Sequence, residues 1–581
     1  MEKSTLSGIA RRHDLDALRA FAMLLGVVFH ASLPYVTTGW MVSDWKQTEV
    51  LGIFVTWVHG FRMPLFIFVS GYFTQMMWRR RGPGAMLKQR FLRVFVPLLL
   101  GTLTVIPLQD RVVDWANARA RKDDARRFAL PGMRADVVEA VRTGDAAALR
   151  KLLDGGADPN QVDPEFKNSA IAWAAHYNNV AAARLLIEKG ADVNRPSPGG
   201  HRPIHSAAFF AHDAVLDLLL DHGADLKLKN DSGEGAAQSV TKKMEDVKGA
   251  VAYLRLPWSM TAEQFNAARE KCRQSIVRHG GEDLAKTGGS SPGDSALARS
   301  RTAYRNLITS DSLLVHGRLP LPRGDAGTSW HLVYTSIFDH LWFLWYLCWL
   351  VGFYALFLWI AGVFHLPALP SKWLLSPTWG CWLIPLTMIP QLWMGVFGAG
   401  FGPDTSVGLL PQPHILLYYG IFFAVGTLYF ESNDTEARLG SRYGLLLLGS
   451  NLVLLPLGMA TMQSHPLISG VIQVAFAWSM TFGLIGLLNR YLKHENPALR
   501  YLADSAYWLY IAHHPLVALI QSLMRPWDLP ALLKWLMLCV SLIGVLLLSY
   551  HFLVRNTWIG WLLNGRRAPA AVGAQGVGAR Q

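Results

Sequence analysis

Cysteine and charge are both scarce in this chain of 581 residues. The four cysteines form no CxxC pair and no cluster with histidine, and three of them lie in apolar runs. This pattern argues against a disulfide framework and a structural zinc site, so we predict no bound metal and no bound cofactor. Only 17% of the residues are charged, whereas 51% are hydrophobic and tryptophan occurs 22 times. Such a composition is typical of a membrane protein with a soluble part attached.

The formal net charge is nevertheless +14. The basic residues cluster at the ends of apolar runs, which favours a cytoplasmic excess of Lys and Arg beside membrane spans over a nucleic-acid-binding surface. We therefore predict a lipid bilayer as the environment of the protein and no nucleic-acid partner.

About ten apolar runs approach the roughly 20 helical residues that a bilayer core requires. Their basic connections alternate with connections poor in Lys and Arg, so the positive-inside rule predicts that both termini are cytoplasmic. The same rule predicts that the long hydrophilic insertion after the third run faces the periplasm of a bacterial cell. The predicted spans are residues 15–36, 50–77, 91–108, 336–362, 373–396, 411–431, 442–461, 467–489, 500–524 and 532–554.

These observations predict an all-α fold, a polytopic membrane helix bundle interrupted by an inserted α-solenoid. The first part of the membrane core, with three spans, covers residues 11–108. The extracytoplasmic insertion covers residues 109–330, and the second part of the core, with about seven spans, covers residues 331–560. Residues 561–581 are predicted to form a disordered cytoplasmic tail.

The insertion contains a repeat. The segments GGADPN, KGADVN and HGADLK begin at Gly155, Lys189 and His222, each after an amphipathic helical pattern. The segment RPIHSAA, which includes His205, resembles the T-P-L-H-x-A signature of ankyrin repeats. We therefore predict about four ankyrin-type repeats over residues 134–256, and a buried structural hydrogen bond for His205. The stack either recognises a partner protein or glycan on its concave face, or is a spacer lodged in a tolerant loop.

The stretch RAFAMLLGVVFH, from Arg19 to His30, places two ionisable side chains in one apolar run. Eleven helical residues turn the chain through three full turns plus about 20°, so both side chains lie on one face, about 16 Å apart along the axis. An ionisable group deep in a membrane marks a site or a pathway by default. The alternative for His30 is a hydrogen bond to a neighbouring helix.

Other apolar runs carry similar groups. A histidine and an arginine occur in the second span, and two adjacent histidines occur near the middle of the ninth. A helix bundle that lines a cavity with these groups explains them more simply than packing does. The arginines that open the third span either anchor it at the interface or form a phosphate clamp. The residues are His59, Arg62, Arg90, Arg93, His340, His513 and His514.

Together, the segments LDALRAFAMLLGVVFHASL, HGFRMPLFIFVSGYF, KQRFLRVFVP, HLWFLWYL and LYIAHHPL resemble the acyltransferase-3 family of integral membrane acyltransferases, in its glucan-biosynthesis protein C branch. The resemblance covers roughly residues 11–108 and 330–560, and the ankyrin-type insertion departs from it. It implies transfer of an acyl group, succinyl or acetyl, from cytoplasmic acyl-CoA to a hydroxyl of a periplasmic or exported glycan. Acyl-CoA is then a donor substrate.

The resemblance implies catalytic roles for His30 and Arg19 and donor binding by Arg90 and Arg93. His30 is the proton acceptor for the glycan hydroxyl, or carries the acyl group covalently. Supporting or substrate-binding roles fall to His59, Arg62, His340, His513 and His514, which orient groups or stabilise the thioester oxyanion. Ser70 is a site residue or a small residue for helix packing, and Trp40 stacks on a sugar ring or belongs to an interfacial belt.

Two other functions compete with this enzyme. A proton-coupled transporter would use the intramembrane histidines and arginines as a relay. A membrane-anchored recognition protein would act through its ankyrin-type repeats alone, and the spans would only hold it in place.

Overall fold

The computed structural model describes most of the chain. The residues outside the description are 1–11, 37–39, 129–135, 164–165, 232, 243, 245–246, 248–249, 252–253, 255, 257–259, 284–295, 317–328, 334, 368–370, 372–375, 377, 396–399, 463 and 566–581. The chain forms two compact units. The membrane unit comprises Met1–Val36, Trp40–Ala118 and Ser300–Gln581, and the repeat unit comprises Thr37–Gly39 and Arg119–Arg299.

Long apolar helices build the membrane unit, as the composition predicts. Its first part contains α1 (His13–Ser32), α2 (Glu49–Arg90), a π-helical turn (Phe91–Phe95) and α3 (Val96–Phe128). After the insertion come α12 (Ala296–Ile308), α13 (Trp342–Val363), α14 (Trp379–Gln391), α15 (Pro413–Glu431), α16 (Tyr443–Gly449), α17 (Leu455–Thr461), α18 (Pro466–Tyr491), α19 (Pro497–Met524), α20 (Ala531–Ser549) and α21 (Trp558–Asn564). Strands β1 (Leu314–His316) and β2 (Ser329–His331) pair antiparallel.

Seven described segments are long and apolar enough to cross a membrane. One of them, Glu49–Ala120, contains both the second and the third predicted span, since a kink at Gly82 joins two helices without a break. Two predicted spans are outside these segments. Helix α14 has only 13 residues, which is short of the roughly 20 that a crossing needs. Helix α19 is long enough with 28 residues, but it carries many polar side chains.

Two predicted boundaries differ from the structure. Helix α3 continues past residue 108 to Phe128, because helical residues follow the apolar run without a stop signal. The predicted disordered tail began at residue 561, yet α21 runs to Asn564. Residues 566–581 of that tail lie outside the described residues.

Glycines bring α2 and α15 into backbone contact. A Cβ at Gly71 would lie 2.1 Å from the carbonyl oxygen of Phe423, and a Cβ at Gly426 would lie 2.0 Å from that of Phe68. Each helix therefore uses a glycine where the other presents a carbonyl. Small residues at such crossings are the usual means of close helix packing within membranes.

The repeat unit consists of short helix pairs, as the repeat predicts. They are α4 (Val137–Thr143) with α5 (Ala146–Asp154), α6 (Ala170–His176) with α7 (Val180–Glu188), and α8 (Pro203–Phe209) with α9 (Asp213–Asp221). Helix α10 (Ala236–Ser239) begins a fourth repeat, much of which lies outside the described residues. The amphipathic α11 (Ala262–Arg278) packs Phe265, Cys272 and Ile276 into the core of the stack.

His205 has the predicted structural role. The side chain is 1% exposed. Its Nδ1 accepts a hydrogen bond from the backbone N–H of Arg202 at 3.0 Å, and its Nε2 donates to the carbonyl of Leu228 at 3.1 Å. Burial lowers the pKa of His205 to about 4, so the ring is neutral at neutral pH. It connects the start of α8 to the loop that follows α9.

Candidate active site

Helix α1 packs against α2, α18, α19 and α20, so its polar residues face other helices. Asp14 and Asp16 stand in its first turn, where carboxylates suit the helix dipole. Helix α19 continues through His513 and His514 although Pro515 interrupts its hydrogen bonding. The packing of α1 on α19 brings residues from the two ends of the chain into one place.

Four histidines meet there and form what we call the histidine cluster. Nδ1 of His30 lies 2.7 Å from Nε2 of His513, although the residues are 483 positions apart. The ring of His514 lies edge-on to that of His30, with centroids 4.7 Å apart. The ring of His340 stacks on that of His514 at 4.2 Å. The members of the cluster are His30, His340, His513 and His514.

The hydrogen bonds of His513 decide which nitrogens carry protons. Its Nδ1 lies 2.7 Å from the carbonyl oxygen of Tyr510, so in the neutral ring this nitrogen is the protonated one and Nε2 is an acceptor. His30 must then donate from Nδ1, which leaves Nε2 of His30 unprotonated. An imidazole held in this tautomer by a second group is arranged to accept a proton.

The other two rings are oriented in the same way. Nε2 of His340 lies 3.1 Å from the carbonyl oxygen of Ile511, and Nδ1 of His514 lies 3.0 Å from Oε1 of Gln109. Gln109 in turn donates to Asp339 at 3.4 Å. The remaining ring nitrogens, Nδ1 of His340 and Nε2 of His514, are buried and make no hydrogen bond to the described residues.

A metal ion is one occupant that such a cluster permits, since His30, His513 and His514 bring ring nitrogens within 4.8 Å of one another. Two nitrogens bound tetrahedrally to zinc, each at about 2.0–2.1 Å, would be about 3.3 Å apart. The 2.7 Å separation between His30 and His513 is shorter and is that of a hydrogen bond. The arrangement fits proton transfer better than metal binding.

Trp40 covers the cluster. Its ring stacks on His30 with centroids 5.9 Å apart and meets His514 edge-on at 5.2 Å. The loop that carries Trp40 is held by a buried ion pair, in which Nζ of Lys534 lies 3.1 Å from both carboxylate oxygens of Asp44. Both side chains are 0% exposed.

His59 and Arg62 lie beside the cluster. The ring of His59 stacks on Phe29 at 6.1 Å, so it neighbours His30 without a described contact to it. The guanidinium of Arg62 packs against α1 at Gly26 and lies over Phe29 at 5.0 Å. No carboxylate among the described residues pairs with Arg62.

The other predicted arginines meet in a second place, a cavity of about 140 Å³ that we call the arginine cavity. Arg90 donates a hydrogen bond to the hydroxyl of Thr74 at 2.7 Å. Arg93, three residues further along the chain, lies in the π-helical turn. Ser70 bonds back to the carbonyl of Phe66 at 2.9 Å. The lining comprises Arg19, Met23, Phe66, Val69, Ser70, Phe73, Gln89, Arg90, Arg93, Val94, Phe343, Leu344, Leu347, Ala503, Ala506, Tyr507, Leu563 and Asn564.

The predicted site residues thus form two groups at two levels of α1. Arg19 and Met23 line the arginine cavity, His30 belongs to the histidine cluster, and Gly26, which Arg62 contacts, lies between them. His30 is not among the residues that line the arginine cavity. Arg19 and His30 thus lie on one helix, but they do not line one common cavity here, and the side chain of Arg62 packs against Gly26 between them.

Sequence reasoning missed several residues of the site. Gln109, Tyr510, Tyr507 and Asn564 all bond to or line it. A helical signal was available for the tyrosines, since residues 507, 510 and 514 recur at the spacing of one helix face. Lys534 was also visible as a lone charge in an apolar run. Asn564 gave no such signal.

These features define a helical membrane protein with a histidine–arginine site and an inserted repeat unit. Its sequence matches the acyltransferase domain family over residues 12–123 and 297–554, well over half of the chain. The chain belongs to this acyltransferase-3 family. Residues 137–230 match ankyrin repeats in three copies. The predicted repeat family is confirmed, and the match covers three of the roughly four repeats predicted over residues 134–256.

Among curated proteins, the chain is similar to "Glucans biosynthesis protein C" of Salmonella paratyphi B and of Salmonella heidelberg. Each is 41% identical over 98 residues, which is 17% of this chain and 24% of the relative. The match therefore spans about a quarter of the relatives' length. Among solved structures, the ankyrin repeat domain of Bcl-3 is 28% identical and covers 20% of this chain and 50% of its own, with a TM-score of 0.18.

Proposed function

We propose that the protein moves an acyl group, succinyl or acetyl, from cytoplasmic acyl-CoA to a hydroxyl of a periplasmic or exported glycan. Membership of the acyltransferase-3 family supports the reaction class. The name of the relatives, "Glucans biosynthesis protein C", supports a glucan as acceptor. The observation that carries the proposal is the 2.7 Å hydrogen bond that orients His30.

The proposed reaction uses this orientation of His30. The glycan hydroxyl oxygen attacks the thioester carbonyl carbon, and its proton passes to the unprotonated Nε2 of His30. The imidazolium is stabilised because Nδ1–H donates to neutral His513. The carbon–sulfur bond then breaks, and the thiolate of CoA receives the proton. Arg62, a cation with no described carboxylate partner, stabilises the oxyanion of the tetrahedral intermediate.

Orientation in the membrane completes the proposal. Basic loops between the spans support cytoplasmic termini in a bacterial inner membrane. Arg19, Arg90 and Arg93 then stand at the cytoplasmic end, where CoA phosphates arrive, and guanidinium groups match phosphate oxygens. His30 stands about 16 Å further outward along α1, which is comparable to the length of a pantetheine arm.

The repeat unit has a separate role in the proposal. In the same orientation it is periplasmic, where an ankyrin stack recognises a protein or glycan partner on its concave face. We expect that deletion of residues 130–260 changes acceptor choice or partner binding more than it changes acyl transfer itself.

Substitution of His30 tests the function. Purified full-length protein would be supplied with succinyl-CoA or acetyl-CoA and a glucan acceptor. Mass spectrometry would then measure the formation of the glucan ester. We expect His30→Ala to abolish transfer while membrane insertion is retained, and the exposed His551→Ala to match the parent protein. Unchanged transfer in His30→Ala would refute the role of His30, and His30-dependent solute or proton flux without any ester would favour a transporter.

A further inference from the structure

The arginine cavity contains more than arginines, and its other polar atoms point to a specific part of the donor. Three lining residues each bury a polar atom that makes no hydrogen bond to the described residues. These atoms are Oε1 of Gln89, Nε of Arg90 and the hydroxyl of Tyr507. Buried polar groups are normally paired, so three unpaired ones around a single cavity suggest that a ligand pairs with them.

The chemistry of these atoms discriminates between ligands. Arg90 can only donate hydrogen bonds, whereas the side-chain amide of Gln89 and the hydroxyl of Tyr507 can both donate and accept. A phosphate offers acceptors alone and would use only the donors of these groups. A chain of secondary amides offers both N–H and C=O groups, so it pairs with all three atoms. The apolar walls formed by Phe66, Leu344 and Leu347 suit the hydrocarbon part of such a chain.

We propose that Gln89 and Tyr507 bind the pantetheine arm of the donor, while Arg19 and Arg93 hold its phosphates. This assignment rests on the proposed function, because it takes acyl-CoA as the donor. The cavity extends along α1 from Arg19 to Met23, in the direction of His30. The thioester end of the donor is the end that must approach His30, so the arm rather than the nucleotide follows this direction.

The C-terminal helix α21 completes the phosphate end. Leu563 and Asn564 line the cavity, and Asn564 is held by a 2.8 Å hydrogen bond to the carbonyl of Asp504. The next residue, Gly565, has a φ of +84°, and a Cβ there would lie 1.9 Å from Nη2 of Arg93. Gly565 is therefore a positioning residue, since any side chain at this position would displace the Arg93 guanidinium.

Binding of three probes to the purified full-length protein tests the assignment. The probes are CoA, pantetheine, and adenosine 3′,5′-bisphosphate as the nucleotide end. We expect Tyr507→Phe to weaken the binding of CoA and of pantetheine by roughly 3- to 10-fold, which is the effect of one hydrogen bond. Binding of the nucleotide should not change. Arg93→Met should weaken CoA and the nucleotide by roughly 10- to 100-fold and spare pantetheine. Gly565→Ala should follow the pattern of Arg93→Met with a smaller effect.

The matched control is Tyr419→Phe, which removes another buried, unpaired tyrosine hydroxyl from the membrane unit, one that does not line the cavity. It should bind all three probes like the parent protein. The assignment is overturned if Tyr507→Phe weakens the nucleotide rather than pantetheine, or leaves all three probes unaffected. If either result is found while the parent protein transfers acyl groups normally, only the assignment is overturned. If the parent protein neither binds CoA nor transfers an acyl group, the proposed function is overturned as well.

Discussion

Buried histidines occur in both units of the protein, and they are bonded differently. In the repeat unit, His205 bonds to the backbone of Arg202 and Leu228, and His212 bonds to the carbonyl of Ala175 at 2.8 Å. In the membrane unit, His30 bonds to another histidine, and His340 stacks on a third. His176 is closer to the membrane pattern, because its Nδ1 is unpaired among the described residues.

The difference distinguishes a histidine with a structural role, His205, from His30, for which we propose a reactive one. A ring bonded to backbone at both nitrogens joins two chain segments and has no lone pair left for chemistry. His30, which bonds to another ring through Nδ1 alone, keeps the lone pair of its Nε2. The bonding partner of a buried histidine is thus more informative than its burial alone.

We expect the largest effect from substitution of His513, because it removes the hydrogen-bond partner of His30. We expect His513→Ala to lower acyl transfer by roughly 10²–10⁴-fold, because His30 then loses the group that fixes its tautomer. Initial rates at saturating acyl-CoA measure this effect. If the initial rate of His513→Ala is within threefold of that of the parent protein, His30 belongs with the structural histidines and the contrast disappears. His551→Ala, an exposed histidine of the same unit, is the control.

The buried ion pair sharpens the contrast, because its two charged groups bind each other and not a histidine of the cluster. Lys534→Met leaves the Asp44 carboxylate buried without its partner, and we expect a loss of about 3–5 kcal/mol in stability. Thermal unfolding of the detergent-purified protein would measure it. The double variant Asp44→Asn with Lys534→Met should recover much of the loss. Equal instability of the single and double variants would count against a direct pairing energy.

The smallest expected effect is in the repeat unit. His205→Ala leaves a backbone N–H and a carbonyl unpaired, and we expect a loss of about 1–3 kcal/mol from that unit, with acyl transfer unchanged. Burial holds the pKa of His205 at about 4, below the usual value of about 6.5. The unfolded chain therefore binds more protons between these values, and stability falls as the pH is lowered from about 6.5 towards 4. Limited proteolysis of the repeats across this pH range should show that decline. His205→Ala should make it shallower without removing it, because burial also lowers the pKa values of His176 and His212 in the same unit.

Much of the site could be predicted because polar residues are conspicuous in apolar runs. His30, His340, His513 and His514 were all identified in this way, and the structure brings them together. The pairing itself could not be predicted, since it depends on the packing of helices whose residues are 483 positions apart. The same applies to Gln109, which lies at the end of a run and gains meaning only through its bond to His514.

The fold shows a parallel limit. Periodicity predicted the helices of both units, and the repeat length predicted the ankyrin architecture. The ends of α3 and α21 were missed because α3 continues through polar, helix-forming residues beyond its apolar run, and α21 adds a short apolar turn after the last predicted span. The glycines of α2 and α15 were visible in the sequence, but which helices they join depends on tertiary packing.

The glycine contact between α2 and α15 has a mechanical consequence. Two backbones that touch through Gly71 and Gly426 leave no room for either helix to roll about its axis. Helix α2, which carries Arg62 and Ser70, therefore acts as a rigid frame for both halves of the site. Any widening of the arginine cavity therefore has to come from lining elements other than this helix pair, such as the seven-residue helix α21.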